Sequence, residues 1–283
     1  MSSACIFGSM ARNRCDGLSD RDILVVGSSE ISKWRDDGWS VAEFSEDQIL
    51  SMASSGSLFI QHLKQEGIIV RDDTNFLAKV LCEFTPAVNY NHELNEGCGL
   101  LRKARSATSS YWAWLCSCDM AFVAIRNIGI HQLAAKGMCV FDFNDIVDCL
   151  GQARKISAIK MRALKRLRFL KYAYRNRLFH VARDDTLECA LDGAEELFGV
   201  QISGVVATDV VEAGYNGLRC LELSLVERFD PRFLDALVPT DTLSSAWAAI
   251  TDPRGYPKPW KNDPKWVDTV AAAVAVRCSS SSN

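Results

Sequence analysis

Two aspartates one residue apart, Asp20 and Asp22, open the apolar run Ile23-Leu24-Val25-Val26. Upstream, Gly8-Ser9 closes a shorter apolar run, Ala4-Cys5-Ile6-Phe7. Side chains alternate along a strand, so the spacing predicts Asp20 and Asp22 on one side and Ile23 and Val25 on the other. Carboxylates placed that way repel unless a cation lies between them. Their oxygens are hard ligands, suited to magnesium, which keeps substrate phosphates in its own shell. The Gly-Ser bend supplies the complementary part. Leading into a predicted short helix over residues 9–13, it would offer an anion bare backbone, amide N–H groups and a hydroxyl. An anion cradle beside a metal-binding pair is the equipment of phosphoryl chemistry.

This order of parts resembles the nucleotidyltransferases of the DNA polymerase β superfamily, in particular the minimal nucleotidyltransferase domains. The residues that carry the resemblance are Phe7-Gly8-Ser9 and Ser19-Asp20-Arg21-Asp22-Ile23-Leu24-Val25. It implies transfer of a nucleoside monophosphate from a nucleoside triphosphate such as ATP to a hydroxyl acceptor, with release of pyrophosphate. Gly8, Ser9, Arg12 and Ser19 would bind the nucleotide, and Asp20 and Asp22 would hold two magnesium ions. A third carboxylate is expected on the next strand. Glu43 in "WSVAEFS" is the candidate, with Asp72 and Asp73 as fallback. Two departures stand out: Asn13 occupies the place of a glycine after Ala11-Arg12, and Arg21 that of an apolar residue. The acceptor would be a small molecule, a protein or an RNA end. The alternative is a degenerate nucleotide-binding or antitoxin-like module, and the third carboxylate is what separates the two.

A second pattern occurs twice. Arg126-Asn127…His131 and Arg175-Asn176…His180 both read R-N-x-x-x-H. They resemble the RNA-cleaving motif of HEPN helical domains, which implies a ribonuclease as a further alternative. A histidine would move the proton and an arginine would meet the phosphate. Arg175 and His180 are the preferred pair, because they lie in the most cationic segment. The tyrosine expected two residues beyond the histidine is absent, since Leu133 and Ala182 stand there.

The elements that must position these groups are legible in outline. Strands are expected at 4–7, 21–27, 39–45 and 68–72. In the third, Trp39, Val41 and Glu43 share a face. Ser45 reads as the N-cap of a helix beginning at Glu46, and 57–67 as a helix closed by Gly67. Past the turn-rich connection at 85–97 the pattern is helical. Over 154–181, Ile156, Ile159, Ala163, Leu167, Leu170, Tyr174 and Leu178 recur at helical steps and predict one long helix. Residues 203–211 read equally as strand or helix. The expected fold is α+β: a mixed-sheet nucleotidyltransferase domain over 1–90, an all-helical domain over 95–270, and a disordered tail at 278–283.

Composition bounds the rest. An apolar content of 48% with 24% charged residues fits a globular chain that buries a large core. No uncharged run is long enough to span a bilayer, and the first residues lack the pattern of a secretory leader. The eleven cysteines scatter through apolar segments, as reduced thiols in a cytoplasmic protein would. Cys116 and Cys118 have no second ligand pair at zinc spacing. Residues 154–183 carry eleven Lys and Arg and no acid, on an acidic background. That segment calls for a negative partner, either a polyanion such as RNA or an acidic surface of the same chain. The sequence predicts no membrane partner and leaves the oligomeric state open.

Overall fold

The structure is a computed structural model. It describes residues 2–27, 31–106, 110–178, 180–202, 219–220, 222–223 and 226–227. In chain order the elements are β1 (Ser3–Phe7), β2 (Asp22–Val26), α1 (Ile31–Asp36), β3 (Ser40–Phe44), α2 (Glu46–Ser54), α3 (Leu58–Glu66), β4 (Ile68–Asp72), α4 (Phe76–Glu83), α5 (Asn91–Ser106), α6 (Tyr111–Ala134), α7 (Phe143–Arg154), α8 (Ala158–Arg175) and α9 (Thr186–Phe198). The fold is therefore α+β, with a mixed sheet first and mostly helices after it. The ambiguous 203–211 segment and the 278–283 tail lie outside the described residues.

The chain divides into two units. The first holds residues 1–94 and 126–150; the second holds 95–125 and the described residues from 151 onward. Residues 126–150 thus fall with the sheet rather than with the helical part. Helix α6 runs through the change, giving its first half to the second unit and its second half to the first.

In the first unit the sheet order is β3-β2-β1-β4. Strand β1 pairs antiparallel with both β2 and β4, and β2 runs parallel to β3. Strict alternation sorts the side chains into two cores. On one face Cys5, Leu24 and Val26 pack with Ile49 of α2, Ile60 and Leu63 of α3, and Leu77, Val80 and Leu81 of α4. On the other, Ala4, Ile23, Val25, Trp39 and Val41 meet Ile31 and Trp34 of α1. Ser45 caps α2 through a reciprocal capping box with Gln48, as its sequence predicts. Gly67 ends α3, its N–H donating to Leu63 O.

In the second unit α8 lies against α9. Leu164, Leu167 and Leu170 are buried on one side, with Leu187, Leu191, Ala194 and Leu197 on the other. Gly193 lets them approach closely, because a Cβ there would stand 3.2 Å from the Leu164 side chain. The long helix expected over 154–181 is shorter, α8 over Ala158–Arg175. Helix α7 ends at Arg154, Lys155 takes a left-handed backbone (φ +57°), and Ser157 caps a fresh helix, α8. Ile159, assigned to the apolar stripe, is 64% exposed, because that stripe turns into the core only from Ala163 onward. Trp112, Trp114, Leu115 and Met120 of α6 are buried core. Helix α6 is long and apolar enough to cross a membrane, and most of it is buried inside the protein.

Candidate functional site

The Gly-Ser bend and the second aspartate meet by strand pairing. Phe7, the last residue of β1, stands opposite Asp22, the first of β2. Gly8 then turns the chain with φ +73°, a conformation that favours glycine. Its bare Cα faces the Asp22 carboxylate: a Cβ built there would stand 3.1 Å from Asp22 Oδ2. Ser9 reaches the other aspartate, its hydroxyl lying 3.5 Å from the Asp20 carbonyl oxygen. Residues 8–13 are a run of turns rather than the expected short helix. Arg12 N–H donates to Gly8 O, Arg14 N–H donates to Ser9 O, and Asn13 holds φ +55°. Asn13 thus takes the backbone conformation that a glycine in its place would supply.

Asp22 shares its sheet face with Leu24 and Val26, as strand alternation requires. Asp20 precedes the strand and is exposed. Arg21, the departure between them, lies over the Trp39 ring at 4.4 Å and donates to Asp37 O at 3.0 Å. Its guanidinium therefore covers the apolar face that an aliphatic residue would otherwise cover. Ser19 belongs to a local turn, exchanging hydrogen bonds with Asp16.

The candidate third carboxylate does not join this group. In the parallel pair, Asp22 is in register with Ser40, Leu24 with Ala42, and Val25 with Glu43. Glu43 therefore points to the face of Val25, Trp39 and Val41, away from Asp22, and pairs there with Arg35 at 3.5 Å. The fallback residues are committed elsewhere. Asp72 caps α4 through the amides of Leu77 and Ala78, and Asp73 pairs with Arg71. Among the described residues no three His, Cys, Asp or Glu side chains come together as a metal-binding group. Two carboxylates still suit magnesium, which keeps several waters and takes its other ligands from phosphate.

Arg12 is half-buried and bridges two acids, Glu66 at 2.5 Å and Asp142 at 3.2 Å. Glu66 also meets His62 Nε2 at 2.9 Å. Burial lowers the pKa of His62 and so keeps the ring neutral. Burial pushes Glu66 upward, but its hydrogen bonds with His62 and Arg12 outweigh that, and its pKa is lowered.

Arg126, from the second half of α6, belongs to the same region. Burial lowers its pKa, and the strongest charge acting against that is Asp22. Sequence reasoning preferred the other R-N-x-x-x-H copy, yet it is Arg126 and His131 that reach a cavity, one of about 530 Å³ within the first unit. Phe7, the residue before the Gly8 bend, is part of its lining.

Arg175 and His180 are not brought together as one helical pair. Helix α8 ends at Arg175, and Arg177 turns with φ +55° before His180 is reached. Arg175 donates to Asp119 at 3.0 Å. Asp119 is fully buried and also receives Arg219. Burial pushes Asp119 upward, but Arg175 and Arg219 outweigh it and hold the carboxyl below its usual range. Other cations of the basic segment find acids within the second unit: Arg166 pairs with Asp184 and Lys160 with Glu196. Tyr174 is buried, its hydroxyl donating to Glu222 at 2.6 Å.

Compared with protein-family models and with curated proteins, the chain matches none.

Proposed function

We propose that the first unit is a nucleotidyltransferase. It moves a nucleoside monophosphate from a nucleoside triphosphate to a hydroxyl acceptor. The acceptor oxygen bonds to the α-phosphorus, the bond from that phosphorus to the bridging oxygen breaks, and pyrophosphate leaves. The hydroxyl proton passes to solvent. The observation that carries this reading is the juxtaposition of Gly8 with Asp22. Phosphate that approaches the bare backbone at Gly8-Ser9 comes at the same time beside the Asp22 carboxylate. Magnesium on Asp20 and Asp22 would neutralise the phosphate oxygens there. The Ser9 hydroxyl would donate to a phosphate oxygen, and the turn at residues 8–13 would hold the bend in place. Arg12, engaged with Glu66 and Asp142, fixes that turn rather than the nucleotide.

The test is incubation with each labelled triphosphate, magnesium and a cell extract. A tagged small molecule, protein or RNA is expected with the wild-type chain and none with Asp22→Asn. If no triphosphate yields a tagged product under any condition, transfer is refuted.

A second reading, a nucleotide-binding module without transfer, is favoured by one observation: Glu43 lies on the opposite face from Asp22. It predicts triphosphate binding that Asp22→Asn abolishes, with no incorporation at all.

A further inference from the structure

The cavity lined by Phe7 and Arg126 has walls unlike an ordinary packing void. In its lining His62 stacks on Phe141 with ring centroids 4.4 Å apart. Tyr90 and His131, also in the lining, lie 5.2 Å apart, and Phe7 meets Phe59 edge to face at 5.5 Å. Three pairs of planar groups thus contribute to its lining, and its volume of about 530 Å³ is that of a small-molecule site.

Two polar groups in it are unsatisfied. Arg126 is half-buried and lines the cavity. Among the described residues no acceptor lies within hydrogen-bond or ion-pair distance of its guanidinium; Asp22, Asp142 and Glu66 act on it only through space. Tyr90 is 4% exposed, and its hydroxyl has no hydrogen-bond partner. The backbone group that acts on it, the Ala87 amide, is committed to Gly56 O at 3.1 Å. A partly desolvated guanidinium without an acceptor and a buried hydroxyl without a partner both carry a cost. Both costs are relieved by an anion that accepts from each. Asn127 and Glu93 add an amide and a carboxylate to the lining, suited to the donors and acceptors along a ring edge.

We propose that this cavity binds a phosphate-bearing planar ring of about the size of a nucleoside monophosphate, its phosphate on Arg126 and its ring between the aromatic walls. The site needs no metal, and its lining does not include the carboxylates at the Gly8 bend, so it stands whether or not transfer occurs there.

The test is calorimetric titration of the full chain, with EDTA present, using the four nucleoside monophosphates, phenyl phosphate, adenosine and inorganic phosphate. At least one ring-bearing phosphate is expected to bind, with adenosine and inorganic phosphate each about tenfold weaker or more. Arg126→Gln should weaken binding about tenfold or more, as loss of a charged hydrogen bond does. Tyr90→Phe, which keeps the ring and its packing, should weaken it about three- to tenfold. It carries the test alone if circular dichroism shows the Arg126 variant unfolded. Nucleotides binding more tightly than phenyl phosphate would show that the ring edge is read. Equal affinity would show that ring and phosphate suffice. The proposal is overturned if no probe binds, if a folded Arg126→Gln and Tyr90→Phe bind as tightly as wild type, or if binding is lost in EDTA or with Asp22→Asn, which would place the ligand on the carboxylates instead.

Discussion

Gly8→Ala tests the contact on which the nucleotidyl site is built. Gly8 holds φ +73°, where a Cβ crowds the carbonyl and costs roughly 1–2 kcal/mol. The same Cβ would stand 3.1 Å from Asp22 Oδ2, closer than ordinary packing, so the carboxylate must yield by a few tenths of an ångström. Stability should fall by about 1–2 kcal/mol, which is a drop in Tm of roughly 2–8 °C for a chain of this size. The chemical consequence is larger than the thermal one. Misplacing a reacting group by 1 Å costs on the order of 100-fold, so a shift of a few tenths should cost about tenfold in labelled nucleotide transferred. Gly17→Ala is the control, since a Cβ there meets nothing within 4 Å, and both readings should be unchanged. In an Asp22→Ala background the backbone cost of Gly8→Ala remains while the contact with the carboxylate is gone, so the melting penalty should shrink but not vanish. Wild-type melting together with wild-type transfer in Gly8→Ala would refute the claim that the left-handed bend positions the phosphate cradle against Asp22.

Glu43→Ala should leave transfer within about twofold of wild type and change stability by at most about 0.5 kcal/mol, because Glu43 makes a partly exposed ion pair on the opposite face; transfer abolished by this change would put Glu43 in the site. Asp119→Ala should destabilise the second unit by about 3–5 kcal/mol, since it strands Arg175 and Arg219 around a fully buried position; an unchanged melting curve would refute this. Acid should weaken the first unit in two stages. His62 has a lowered folded pKa, so its unfolded form binds protons first, and stability is lost as pH falls below about 6.5. Glu66 is also lowered, and its share is lost on further acidification below about 4.5. Melting between pH 8 and pH 4 should show both stages, and His62→Gln should remove the upper one.

The four strands, the Ser45 cap and the end of α3 at Gly67 were legible because each is written locally, in alternation, in a capping box and in a terminal glycine. The sharing of a face by Trp39, Val41 and Glu43 was legible for the same reason. What alternation within one strand does not carry is its register with the next. Asp22 pairs with Ser40 rather than with Val41, and that single step puts Glu43 behind the sheet instead of beside the aspartate. The break at Lys155 was hidden because the apolar spacing continues through it while one residue turns left-handed. Arg126 and His131 were visible as a motif, but their membership in the first unit depends on where α6 passes between the two units, a long-range matter that helical periodicity does not encode. The preference for Arg175 rests on surrounding charge, and part of that charge, Arg175 included, is met by acids of the second unit, Asp119, Asp184 and Glu196.

Asp22 is left facing two cations in the proposed scheme, a divalent ion held with Asp20 and the guanidinium of Arg126, whose strongest charge partner it is. Like charges that share one carboxylate oppose each other, so Arg126 must weaken metal binding at the Gly8 bend. Removing one positive charge from a partly buried site is worth on the order of 1 kcal/mol to a neighbouring ion, near fivefold in affinity. Arg126→Gln should therefore bind manganese, titrated by electron paramagnetic resonance in the absence of nucleotide, about fivefold more tightly than wild type. A phosphate resting on Arg126 should act in the same direction by screening that charge, and linkage then requires the metal to tighten the phosphate by an equal factor. Metal binding that is unchanged or weaker in Arg126→Gln would mean that the guanidinium and the ion do not share Asp22, and the metal would have to be assigned to Asp20 alone.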